Sequence, residues 1–93
     1  MIKSHSDRGE LHGITIIVDT AGPKVYIGRC FEATDERVML LDADVHEDGT
    51  NGRSKEQFIK QAARVGVWNR LKQVTIPRDE VTSIQKLVEI AVE

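Results

Sequence analysis

Five short apolar or β-branched runs, each closed by turn residues, confine this chain to a small all-β architecture. The first, Ile14-Thr15-Ile16-Ile17-Val18, is bounded by Gly13 and by the turn Thr20-Ala21-Gly22-Pro23. The second runs from Lys24 to about Ala33 and carries Gly28 in its interior. Glycine weakens an ordinary strand, so Gly28 marks a sharp bend or a close approach of another backbone. After the charged turn Thr34-Asp35-Glu36-Arg37 comes a third strand, Val38 to Val45. A fourth is read through Val67-Trp68-Asn69-Arg70-Leu71 and Gln73-Val74-Thr75-Ile76, and a fifth from Val81 to about Leu87. Pro77 cannot donate to a ladder and so belongs at the end of the fourth. Five such strands joined by tight turns point to a small barrel or half-barrel, in which closure would remove exposed edges.

The period changes once. Asp48-Gly49-Thr50-Asn51-Gly52 is a loop by composition, and Ser54-Lys55-Glu56-Gln57 then has the pattern of a capping box. Phe58, Ile59, Ala62, Ala63 and Val65 line one side of a helix over about residues 54–65, with Gly66 placed to end it. This helix is inserted between strands three and four. At the C-terminus Ile84, Leu87, Val88 and Ala91 would suit a helix face as well as a strand, and periodicity leaves both open.

A length of 93 residues fits one domain, with a polar tail expected at residues 1–10 and the folded domain at 11–93. A domain of this size has a thin stability margin, which self-association would widen. Thirteen basic against fifteen acidic residues give a net charge of −2, so the overall basic character usual in nucleic-acid binders is absent and any phosphate contact must be local. The single cysteine, Cys30, excludes an internal disulfide and a thiolate metal cluster. No apolar stretch approaches the roughly 20 residues of a membrane span, and no leader-like segment opens the chain; a cytoplasmic protein without a membrane partner is expected.

The order of these elements resembles the Sm-like family of small SH3-like barrels. The residues that carry the resemblance are Ile14-Thr15-Ile16 to Gly22, Val25-Tyr26-Ile27-Gly28-Arg29-Cys30, Val38 to Ala43, and Val74-Thr75-Ile76-Pro77-Arg78-Asp79-Glu80-Val81-Thr82-Ser83-Ile84. The resemblance implies an all-β, five-stranded Sm-like barrel with one minor helix. It also implies a homo-oligomeric ring, in which strand four of one copy pairs with strand five of the next, and binding of uridine- or adenine-rich RNA. In such proteins the turn between strands two and three carries an Asp followed by an Asn. Here Thr34-Asp35-Glu36-Arg37-Val38 has Asp35 and no Asn. An Arg-Gly pair normally follows strand four, whereas here Pro77-Arg78 supplies the arginine without the glycine. By position, Asp35, Arg37 and Arg78 are therefore the expected nucleic-acid contacts, on a surface that departs from the family pattern. The alternative is a protein-interaction or assembly scaffold with no nucleic-acid ligand.

Other chemistry has weaker support. Asp42, Asp44, His46 and Asp48 alternate, and a regular strand would set them on one face, either as an ordinary solvated face or as ligands for a divalent ion. The solvated face, with Ala43 and Val45 turned inward, is the expected reading, and no metal site is assigned. Cys30 lies among apolar residues, as a structural cysteine does, and Ser54 is accounted for as a cap. No phosphate-cradling glycine loop and no catalytic triad can be assembled, so neither cofactor nor catalysis is expected. Arg53, Lys60 and Arg64, followed by Arg70 and Lys72, could form a basic stripe, although Glu56 with Lys60 at i,i+4 has the ordinary spacing of a solvated helix pair. Phe31 and Phe58 are expected inside. Trp68 is either a core plug or a contact for a partner subunit.

Overall fold

The computed structural model describes residues 11–91. Its elements are β1 (Thr15–Thr20), β2 (Lys24–Ala33), β3 (Arg37–Glu47), α1 (Lys55–Val65), β4 (Leu71–Pro77) and β5 (Val81–Lys86), with single 3-10 turns at Thr50–Gly52, Arg78–Glu80 and Leu87–Glu89. The five strands make one antiparallel sheet in the order β4-β3-β2-β1-β5. β1 pairs with both β2 and β5, which wraps the sheet into a barrel and leaves β4 and β5 as its two edges. The tail expected at residues 1–10 lies outside the described residues. So do the last two residues of the chain.

β1 is apolar at three consecutive positions because the sheet is covered on both faces. Ile16 and Val18 point into the barrel with Cys30, Val38, Leu40, Ala43 and Ile76. Ile17 points the other way, joining Val25, Ile27, Phe58 and Ala62 in a second core between the outer face of the sheet and α1. A strand buried on both faces reads as a continuous hydrophobic run, which is the pattern of Ile16-Ile17-Val18.

The ladder between β2 and β3 is interrupted opposite Gly28. Ile27 faces Asp44 and Arg29 faces Leu41, so β3 carries one extra residue across this step. Asp42 absorbs it with a left-handed φ of 51° and binds Arg29 Nη2 through Oδ2 at 2.8 Å. A β-bulge reverses the inside–outside parity of all that follows it. Ala43 consequently points into the barrel, while Asp44 and His46, opposite Ile27 and Val25 of the second core, point to the outer face beneath α1. The expectation of a single solvated face at Asp42, Asp44, His46 and Asp48 is corrected here, because α1 covers the part of that face that carries Asp44 and His46. Asp44 and His46 are both buried.

The helix begins as the sequence prescribes. Ser54 Oγ accepts the N–H of Gln57 at 3.1 Å and Gln57 Oε1 accepts the N–H of Ser54 at 2.8 Å. Lys55 then ties α1 to the β1–β2 turn, its Nζ donating to Asp19 Oδ1 at 2.7 Å and to the carbonyls of Gly22 at 2.8 Å and Thr20 at 3.1 Å. Phe58 and Ala62 are buried and Ile59 is half-buried, but Val65, expected on the same side, is exposed. Gly66 closes the helix with φ 98°.

The fourth strand starts later than expected. Residues 67–70 carry the chain from the helix layer to the sheet edge and make no ladder, so pairing begins at Leu71 opposite Ala43. At the other end Pro77 terminates β4, as its missing N–H requires. The C-terminal ambiguity resolves into a strand to Lys86 and then one 3-10 turn, from which Leu87 and Ile90 pack on the second core.

Candidate nucleic-acid interface

The turn between β2 and β3 is built by one threonine. Thr34 Oγ1 accepts the N–H groups of Glu36 at 3.1 Å and Arg37 at 3.2 Å, and the Thr34 N–H donates to the Arg37 carbonyl at 2.9 Å. A side chain that mimics a backbone turn in this way leaves the tip to a free polar residue, here Asp35, which is exposed. Arg37 opens β3 and pairs in register with Pro77. That pairing delivers Arg78 to the same turn: its N–H donates to the Glu36 carbonyl at 3.0 Å and its Nη1 to the Thr34 carbonyl at 3.2 Å. Arg78, remote in sequence from Asp35 and Arg37, thus shares one end of the barrel with them. Arg37 Nη2 lies 3.4 Å from Glu32 Oε2, so its charge is partly balanced within the strand pair.

The basic stripe is less continuous than its sequence suggests. Lys60 pairs with Glu56 at 3.3 Å along α1. Arg53 precedes the helix and donates to Gln61 Oε1 at 2.5 Å, with its guanidinium 6.0 Å from the Phe58 ring centroid. Arg70 lies 5.7 Å from the Trp68 ring centroid in the segment before β4. Cys30 is buried, and that burial pushes its thiol above the ordinary range. Among the described residues no three His, Cys, Asp or Glu side chains come together as a metal site. Phe58 is inside, as expected; Phe31 is only half-buried and meets His12 edge-on at 5.7 Å.

A second feature was not legible in the sequence. Between α1, the 66–70 segment and β3 lies a pocket of about 390 Å³. Asp44, Phe58, Trp68, Arg53 and Arg70 are among its lining residues. Beside it, His46 stacks nearly parallel on Phe58 at 4.8 Å, and its Nε2 donates to the Arg53 carbonyl at 2.8 Å, which anchors the loop that carries Arg53. Trp68 stands 64% exposed at the pocket and is neither a core plug nor part of a strand. The pocket has its origin in the bulge at Asp42, because only a parity switch turns Asp44 toward the helix, and no sequence signal marks that bulge.

No family model matches the chain, and no curated protein matches its sequence. Solved structures do match its shape. It is similar to the Pyrococcus abyssii Sm protein in complex with a uridine heptamer, at 17% identity and TM-score 0.58, over 91% of this chain and 99% of that one. It is also similar to a chain of the NatC complex bound to CoA, at 18% identity and TM-score 0.55, over 92% of this chain and 87% of that one. Both identities are low, and the likeness is one of fold: five antiparallel strands with one helix, in the Sm-like arrangement. Among the described residues no helix is long and apolar enough to cross a membrane.

Proposed function

We propose that this Sm-like barrel is a non-catalytic module that assembles as a homo-oligomeric ring and binds single-stranded RNA at the end of the barrel carrying Asp35, Arg37 and Arg78. The observation that carries the reading is the position of Arg78. Its backbone and its guanidinium both reach the turn that presents Asp35, so an anion-binding group and a hydrogen-bond acceptor stand side by side at one exposed end. Phosphate contacts of this kind supply affinity without sequence information, and a carboxylate beside them can accept from a base N–H. The shared fold with an Sm protein held in complex with a uridine heptamer supports the same reading. Among the described residues β4 and β5 are the two edges of the sheet, which supports association by strand addition between copies.

Filter binding of short uridine-rich and adenine-rich RNA at two salt concentrations tests the nucleic-acid part. Retention that weakens steeply as salt rises is the expected result, and no retention at low salt removes it. Native mass tests the ring: a closed assembly of several copies is expected, and a monomer overturns it.

A second reading is an assembly scaffold without a nucleic-acid ligand. It is favoured by the likeness to a chain of the NatC complex, and by the internal engagement of Arg37 with Glu32. The filter assay separates the two.

A further inference from the structure

We propose that the pocket beneath α1 is a separate binding site and that it takes a guanine base. The juxtaposition that carries the proposal is a buried carboxylate, Asp44, facing the same cavity as an exposed indole, Trp68, and two guanidinium groups, Arg53 and Arg70. The site is distinct from the barrel end of Asp35 and Arg78, and none of the three residues assigned there lines it.

Asp44 is 3% exposed, and a buried carboxylate is costly unless donors compensate it. Its Oδ1 accepts the N–H of Val45 at 2.8 Å. The cation facing it is Arg70, whose Nε stands at 3.8 Å, beyond hydrogen-bonding reach, on a side chain 64% exposed to solvent. The pocket therefore has an acceptor with capacity for further donors. Trp68 adds a flat surface exposed at 64%, and the N–H of Arg70 donates to the Trp68 carbonyl at 2.8 Å, which holds the two side chains on one short turn. Base-on-indole stacking needs such a surface. Arg53 and Arg70 against Asp44 leave the lining net positive, which disfavours a cationic occupant and suits a phosphate or ribose-phosphate attached to the base.

The donor requirement selects among bases. An ionised carboxylate only accepts hydrogen bonds. Guanine offers two adjacent donors on its pairing edge, whereas adenine, cytosine and uracil each set an acceptor beside a donor there. The cavity, at about 390 Å³, lies within the range of small-molecule sites. The base could arrive as a free nucleotide or within an RNA strand.

Trp68 is the only tryptophan of the chain, so its fluorescence reads this pocket alone. Titration with GMP is expected to give a saturable change, with AMP and UMP weaker by roughly tenfold or more. Asp44→Asn is expected to abolish the preference for GMP, and Trp68→Ala, followed by calorimetry, to weaken binding of all three nucleotides. A single-guanine oligonucleotide that binds tighter than GMP assigns the site to RNA, and GMP alone binding assigns it to the free nucleotide. Equal response to all nucleotides, or no fluorescence change and no heat with any of them, overturns the proposal. Saturation by N-acetylarginine amide in place of GMP also overturns it, in favour of a protein side chain. Arg78→Ala is expected to leave the GMP signal intact, so failure here and failure of RNA retention at the barrel end are read independently.

Discussion

A Cβ placed on Gly28 would lie 2.6 Å from the Cβ of Ala43 and 2.9 Å from its Cα. The contact sits where β2 and β3 lose register, so the missing side chain on one strand and the bulge on the other are two halves of a single bend. Leu40 Cβ, at 3.2 Å, closes the remaining space. Backbone atoms supply part of this wall, and a rotamer change cannot relieve it.

Gly28→Ala is therefore expected to destabilise the domain by about 1–3 kcal/mol, the usual range for overpacking a core. Urea unfolding followed by circular dichroism measures it. The midpoint should fall while the slope stays constant. An unchanged midpoint would mean that the barrel tolerates a wider separation of β2 and β3.

Lys55→Met removes a charge-assisted bond to Asp19 and two bonds to turn carbonyls, while keeping most of the aliphatic stem. A loss of about 1–2 kcal/mol is expected, since bonds to charged groups exceed neutral ones and this pair is partly exposed. Double-mutant analysis with Asp19→Ala should show coupling between the two positions.

Burial raises the Cys30 thiol, so the folded state binds its proton more tightly than the unfolded chain does. The stability linked to that proton is present below the ordinary thiol range and is lost as pH climbs from about 8.5 toward the raised folded value. Iodoacetamide at neutral pH should leave the native protein unmodified and label it in urea, as mass spectrometry would report. Rapid native labelling would contradict the burial.

Arg78→Ala tests the barrel end. Affinity for uridine-rich RNA should fall several-fold for every sequence that binds. The salt dependence should become shallower by roughly the 0.7 expected for one lost phosphate contact on a single strand. Native mass should not change. An unaltered RNA affinity would remove this end of the barrel as the interface.

Much of the architecture was legible because the chain is well punctuated. Gly13, the Thr20–Pro23 turn, the Ser54–Gln57 box, Gly66 and Pro77 each mark a boundary that local chemistry enforces. Gly28 announced its close approach for the same reason. Asp42 did not, since a left-handed aspartate carries no distinct signature among alternating acids. Its bulge turned Asp44 and His46 under α1, which hid the pocket from any reading that assumed a regular strand. Residues 67–70 carry strand composition in Val67 and Trp68, but a geometric need to cross between layers overrides that preference. The clustering of Asp35, Arg37 and Arg78 came from the resemblance, and the Arg37–Pro77 register shows how the fold brings them together.

Two cores on opposite faces of one sheet mean that the domain can lose order in steps. α1 is held by Lys55, by the Phe58 and Ala62 contacts and by its caps, while the strand ladders do not depend on it. Amide protons of α1 should therefore exchange with deuterium by a local opening, faster than those of β1 and β2, which wait for global unfolding. Because Phe58 and Ala62 also line the pocket, an occupant would slow exchange in the helix selectively, and protection there would be a sensor for a ligand that never touches the barrel interior.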